Sequence, residues 1–256
     1  MSDWFVRRGR VMNIAHRAGT EAYGPDVFDA VSHSGQAGAD AIEIDIQATR
    51  DDQLVVYHDR LLNTPTGARE LRMMTLADIR AAGPQGSPAR LPLLAEIFDH
   101  VRTLPILLLL DLKAQDRVEP VRELVTRAGI TARVAVASFH YRPLVTLVAQ
   151  DDPIPAIATI GLGRAMRDPL GFCWSLYALG VPVRAARAIR ARGLLCPAER
   201  VSARMVAAAH ANDLTLFVWK VTPSTDLQKL LLWNVDGIVA ADPTVVRAAL
   251  EARAIQ

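Results

Sequence analysis

The sequence predicts an α/β fold, a TIM (β/α)8 barrel forming a single domain over residues 1–256 with a small insertion around 60–92. Three observations point there. Short β-rich runs alternate with longer amphipathic stretches, as in βα units around a parallel sheet. About eight such units in about 250 residues suit a TIM barrel, whereas a doubly wound sheet generally has fewer strands. Charged side chains also sit at the carboxyl ends of apolar runs, where such barrels carry their chemistry.

In chain order, the first strand is expected near Met12–His16, followed by a helical pattern over Asp26–Gly38. Ala41–Gln47 and Leu54–His58 read as the next two strands. Arg60–Arg72 is irregular and Gly83–Pro92 is rich in Gly and Pro, so both are expected as loops on the barrel mouth, with a helix over Thr75–Ala82 between them. The leucine-rich run Ile106–Lys113 is the next strand, and Asp116–Gly129 the next helix. Then come strand Val134–Ser138, helix Arg142–Gln150, and strands Ile154–Ile160 and Leu194–Cys196. Helix Ser202–Asn212, strand Thr215–Val221, helix Ser224–Asn234 and strand Gly237–Ala240 complete the set. Several helices open on Ser, Thr or Asp and close near Gly or Asn, as backbone capping requires.

Composition excludes several functions. A chain of 256 residues, 51% apolar and 22% charged, buries a large core and is not disordered. Its 29 Lys and Arg against 27 Asp and Glu give a net charge of +2, too weak a field to hold a nucleic-acid backbone. The longest wholly apolar stretch, Ile106–Leu110, stops at Asp111, far short of the roughly 20 residues of a membrane-spanning helix. The N-terminal residues lack a leader pattern, and two cysteines, Cys173 and Cys196, suit a reducing compartment, so a cytoplasmic protein without a disulfide framework is expected.

The chemistry concentrates in Asp40-Ala-Ile-Glu-Ile-Asp-Ile-Gln47. Side chains alternate along a strand, so Ile42, Ile44 and Ile46 share one face while Glu43 and Asp45 share the other. Helices can cover the isoleucines, which leaves two acids pointing into the barrel, where unpaired charge is costly and a cation is needed. A second strand ends likewise, with Asp111 and Lys113 on one face. Glu43, Asp45 and Asp111 form an oxygen-rich set suited to one divalent ion, Mg²⁺ or Ca²⁺. His16 and His58 end two further strands and suit general acid and base work. Arg17 offers a planar donor fork for phosphate, and Lys113 a point charge. Three carboxylates against a divalent cation, Arg17 and Lys113 leave about one positive charge, which a phosphodiester monoanion neutralises. The expected partner is therefore a small anionic molecule.

Further segments carry a resemblance to a known family. They are Ala15-His-Arg17, Gly38-Ala-Asp-Ala-Ile-Glu-Ile-Asp45, Val55-Val-Tyr-His-Asp59, Leu93-Leu-Ala-Glu-Ile97, Asp111-Leu-Lys113, Ser138-Phe139, Val218-Trp219, Val235-Asp-Gly-Ile-Val239 and Asp242-Pro243. In order and spacing the chain resembles the glycerophosphodiester phosphodiesterases, TIM-barrel hydrolases related to the phosphoinositide phospholipase C superfamily. The resemblance implies a phosphodiesterase of glycerol and lipid metabolism that releases glycerol 3-phosphate and an alcohol. It implies Glu43, Asp45 and Asp111 as ligands of one metal ion, His16 and His58 as the acid/base pair, and Arg17 and Lys113 on the phosphate. Trp219 is implied to pack against the glycerol or the leaving group. Three segments depart from the family pattern: Pro25-Asp-Val-Phe28 for Pro-Glu-Asn-Thr, Asp111-Leu-Lys113 for Glu-x-Lys, and Trp219-Lys-Val-Thr222 for Trp-Thr-Val-Asn.

The competing readings are a lysophospholipase D or sphingomyelinase D type activity, which an exposed apolar rim would favour, and a non-catalytic glycerophosphodiester-binding protein. A lyase or aldolase using the Lys113 amine is a third, against which the paired acids of the second strand argue. His33, His100 and His210 are read as structural, and His140 as the one other histidine able to line the pocket.

Overall fold

A computed structural model describes residues 3–5, 10–82, 91–114, 116–149, 154–160 and 181–254. Its strands are β1 (Met12–Ala15), β2 (Ala41–Ala48), β3 (Leu54–Val56), β4 (Leu61–Thr64), β5 (Gly67–Glu70), β6 (Leu107–Leu112), β7 (Val134–Ser138), β8 (Ala156–Thr159), β9 (Gly193–Pro197), β10 (Thr215–Val221) and β11 (Gly237–Ala240). Eight of them, β1, β2 and β6 to β11, run parallel in that order, and β1 pairs with both β11 and β2, so the sheet closes into a TIM barrel. Cys173 and residues 83–90 of the expected insertion lie outside the described residues. Among the described residues no helix is long and apolar enough to cross a membrane.

Strand alternation divides the core. Ile42, Ile44 and Ile46 of β2 join Leu108, Leu110 and Leu112 of β6 in the outer layer under the helices. Met12, Ile14, Ala41, Leu107, Leu109, Ile157, Leu195, Phe217 and Val239 fill the barrel itself. At the end where the strands begin, Trp4 meets Phe217 edge to face, ring centroids 5.9 Å apart. Phe217 needs room from a neighbouring strand: a Cβ on Gly237 would lie 2.7 Å from its Cδ1. We expect Gly237→Ala to cost about 1–3 kcal/mol by overpacking and Phe217→Ala about 3–5 kcal/mol by leaving a cavity, both read by denaturant unfolding.

The third expected strand is not a stave of the barrel. β3 is shorter than Leu54–His58 and pairs antiparallel with β2, Ile46 opposite Val56. Only residues 49–53 connect the two, and a parallel return needs a crossover of a dozen or more residues. The turn is pinned by Thr49, whose Oγ1 accepts from the Gln53 amide at 2.9 Å. Arg60–Arg72 is also more regular than expected, because β4 and β5 form a hairpin whose Leu62 packs with Val55, Leu71, Met74 and Ile79 in a small separate core.

The helices that the sequence indicates are present as α2 (Val27–Gln36), α3 (Leu76–Ala82), α5 (Val118–Ala128), α6 (Tyr141–Val148), α8 (Ala203–His210) and α9 (Leu227–Leu232), after a short α1 (Thr20–Tyr23). Among the described residues three others were not anticipated: α4 (Leu94–His100), α7 (Val181–Ala188) and α10 (Pro243–Ala254). Helix α10 carries a start signal, Pro at its first position and Asp242 accepting from the Thr244 amide at 2.9 Å.

Candidate active site

The carboxyl ends of the strands make an asymmetric mouth. Adjacent strands β1, β2 and β6 bring His16, Arg17, Glu43, Asp45, Asp111 and Lys113 to one side, while β7 to β11 contribute Phe139, Thr159, Leu195, Trp219 and Val239 opposite them. His58, just beyond β3, and Lys220 complete the lining of a cavity of about 310 Å³. A larger hollow of about 800 Å³ lies beside Trp4, Arg10 and Arg247 and contains none of the expected site residues.

After β1 the chain turns through three successive left-handed residues, Arg17 at φ 47°, Ala18 at φ 58° and Gly19 at φ 89°. Such geometry costs a non-glycine residue roughly 1–2 kcal/mol and marks positions held by their surroundings. Here it aims the Arg17 amide at Glu43 Oε2, 2.9 Å away. Gly19 is sterically required, since a Cβ there would sit 2.3 Å from Ser34 Oγ. We expect Gly19→Ala to destabilise the fold by more than about 1 kcal/mol, read by thermal melting.

Glu43, Asp45 and Asp111 are 4%, 4% and 7% exposed, and one oxygen from each lies within 4.8 Å of the others. Strand register explains this, because Asp45 lies directly beside Asp111 between β2 and β6. Lys113 Nζ is 3.0 Å from Asp45 Oδ1 and hydrogen-bonds Asp111 Oδ2. Burial, then the neighbouring Asp45 and Asp111, pushes the Glu43 carboxyl well above the usual range. Burial also raises Asp111 against the pull of Lys113. Lys113 itself is raised, its two carboxylate partners outweighing burial. Lys113 thus pairs with two of the three buried acids, and Asp111 Oδ1 is buried without a hydrogen-bond partner. Hard oxygen donors so crowded fit a divalent cation.

Arg17 Nε is 3.5 Å from Asp45 Oδ2, an ion-pair contact, and is buried without a hydrogen bond. His16 has two partners: Nδ1 is 3.1 Å from Glu21 Oε1, and Nε2 is 4.0 Å from Glu43 Oε2. Burial, reinforced by Arg17 and Lys220, lowers its pKa to about 4. His58 is more open, its side chain 38% exposed, with Nδ1 2.7 Å from Asp59 Oδ1. Its loop is tied down by Gln47, whose Nε2 donates to the backbone oxygens of His58 and Asp59.

All eight residues singled out in the sequence therefore line one cavity. Trp219 is on the inner face with Phe217 and meets Phe139 edge to face, centroids 5.5 Å apart. His140, by contrast, is not among the lining residues; Phe139 is the lining residue from that segment. Asp26, at the first altered motif, caps α2 by accepting from the amides of Phe28 and Asp29. Sequence reasoning missed Thr159, Leu195 and Val239, whose signal was only strand alternation, and Glu21 and Lys220, which are 199 residues apart and lack a local signature.

Barrel and mouth together make a TIM barrel whose acids, histidines and cavity gather at the carboxyl ends of the strands, the layout of a hydrolase site. The sequence pattern of the Glycerophosphoryl diester phosphodiesterase family matches residues 16–245, and the chain belongs to that family. It is 25% identical over 248 residues to a glycerophosphodiester phosphodiesterase of Caldanaerobacter subterraneus subsp. tengcongensis, covering 91% of this chain and 95% of the relative. A human lysophospholipase D is 26% identical over 163 residues, 58% of this chain and 51% of that protein. An Oleispira antarctica phosphodiesterase, solved in complex with the product sn-glycerol-3-phosphate, has the same fold, with a TM-score of 0.73 at 18% identity over 94% of this chain and 96% of that one.

Proposed function

We propose that this protein, acting as one catalytic domain, hydrolyses glycerophosphodiesters to glycerol 3-phosphate and an alcohol. The observation that carries the reading is the convergence of three buried acids and His16 in one cavity at the barrel mouth. Glu43, Asp45 and Asp111 would hold one divalent cation, Mg²⁺ or Ca²⁺, which when bound supplies Lewis-acid polarisation of the phosphoryl group. Arg17 and Lys113 orient the phosphodiester and stabilise charge on its oxygens. His16 and His58 are the acid/base pair, one taking the proton of the attacking hydroxyl and the other protonating the departing alkoxide as the phosphorus–oxygen bond breaks. Trp219 packs against the organic portion of the substrate and excludes water from that side.

A second reading, lysophospholipase D activity, draws on the apolar wall of Phe139, Leu195, Trp219 and Val239, which suits a greasier substrate. The two are separated by incubating the protein with glycerophosphocholine and with lysophosphatidylcholine, adding Mg²⁺, Ca²⁺ or a chelator. Metal-dependent choline release from glycerophosphocholine is expected. Turnover of the lysolipid alone would transfer the assignment to the second reading, and no turnover of either with any metal would favour a binding protein.

A further inference from the structure

Lys220 lines the cavity, yet the chemistry above does not use it. Its place in β10 should turn it away from the mouth, because Phe217 and Trp219 are the inward residues. Pairing with β11 slips at this point: Val218 stands opposite Ile238, but Val221 stands opposite Ala240, so β10 carries one more residue than its neighbour. A bulge of this kind re-aims a side chain at the rim of a sheet. Here Lys220 Nζ reaches across to α1 and lies 2.6 Å from each oxygen of Glu21. Glu21 Oε1 in turn lies 3.1 Å from His16 Nδ1.

We propose that Glu21 and Lys220 are positioning residues that hold the proton of His16 on Nδ1 and present the Nε2 lone pair to the cavity, so that His16 is the proton acceptor of the pair. This rests on the hydrolytic reading above and adds a direction to it. The reasoning is one of donors and acceptors. An ionised carboxylate only accepts hydrogen bonds, so a neutral ring facing it at Nδ1 must donate from that nitrogen and keep its lone pair on the other. Partial burial works to raise the Glu21 carboxyl, but the hydrogen bond and charge of Lys220 outweigh it and hold the group below its usual range. With Nδ1 engaged, Nε2 is the nitrogen on the Glu43 side, 4.0 Å from its carboxylate. Arg17 and Lys220 are the cations bearing on the ring, and Glu21, Asp45 and Glu43 the anions. Lys220 thus acts through Glu21, and Glu21 through His16.

Glu21→Gln makes the proposal testable in a way that mere loss of packing would not. The Lys220 ammonium can only donate, so it claims the amide oxygen and leaves the NH₂ facing His16. Nδ1 must then accept, and the proton moves to Nε2. The expected result is a fall in kcat of about 10–100-fold, the usual cost of losing the partner that orients a histidine, with KM for glycerophosphocholine within about twofold. Lys220→Met alone should cost less. The double variant Glu21→Gln/Lys220→Met, in which the amide is free to turn its oxygen toward Nδ1, should regain at least about threefold over Glu21→Gln. Nitrogen-15 NMR of histidine-labelled protein, with His16 assigned by comparison with His16→Ala, should show Nδ1–H in the parent and Nε2–H in Glu21→Gln. A parent ring protonated on Nε2, or a Glu21→Gln enzyme with parental kcat and tautomer, would overturn the positioning pair. Full activity in His16→Ala would instead overturn the acid/base assignment, and the two failures are thereby distinguishable.

Discussion

Alanine at His16 is expected to lower kcat/KM for glycerophosphocholine at least about 10²-fold, and alanine at His58 to do the same, since each removes a proton donor or acceptor from the reacting group. The two losses have different surroundings. His16 is buried beside Glu43 and Glu21, where water replaces an imidazole poorly. His58 stands on a more open loop, so small nitrogen bases such as imidazole should restore part of the activity of His58→Ala and less of that of His16→Ala. Neither change should unfold the protein, because the ring of His58 is partly exposed and that of His16 is engaged by Glu21 rather than by the hydrophobic core. Steady-state rates paired with thermal melts check both points. Near-parental rates in either variant would remove that histidine from the pair.

Glu43→Gln, or a chelator acting on the parent, should reduce turnover by roughly 10³-fold or more, because Lewis-acid stabilisation of a phosphoryl transition state is worth several kcal/mol and each 1.36 kcal/mol is about a factor of ten. Stability should move the other way. Burial and the two neighbouring acids make the folded protein hold the Glu43 proton more tightly than the unfolded chain does. Folded protein therefore binds more protons than unfolded protein at pH values from the ordinary glutamate range up to the raised value. In chelator, stability contributed by this group must fall as pH rises through that window. Glu43→Gln has no proton to lose there. It should melt higher than the parent in chelator at pH 8, by roughly 2–4 °C for each kcal/mol relieved, with a smaller difference at pH 5. A pH slope identical to that of the parent would refute this account of the cluster.

Much of the site was legible because strand geometry converts a local pattern into a spatial one. The alternation Ile42-Glu-Ile-Asp-Ile46 states which side chains face the helices and which face the barrel, without knowledge of any partner strand. Lys113 was legible for the same reason, two residues beyond Asp111. The antiparallel course of β3 was less so, since Leu54-Val-Val has the composition of a barrel stave and only the shortness of the turn before it argues otherwise. Glu21 and Lys220 were not legible at all. Their contact depends on a strand bulge and on a helix of one turn, and neither leaves a periodic trace. The hairpin of β4 and β5 left little trace, because buried and exposed positions alternate over Leu61–Thr64 while the residues there, Leu-Leu-Asn-Thr, do not alternate apolar with polar.

The side-by-side placement of Asp45 and Asp111 bears on how such a chain tolerates insertion and deletion. Removing one residue from β2 or β6 below these acids would not shift the cluster slightly; it would turn an isoleucine or leucine into the mouth and bury a carboxylate against the outer helices. Length is therefore inherited rigidly along the staves, whereas the segment that hangs from β3 could grow or shrink without displacing any of the three clustered carboxylates. Divergence in this lineage should accordingly be read in what its loops add around an arithmetic of strand positions that must stay whole.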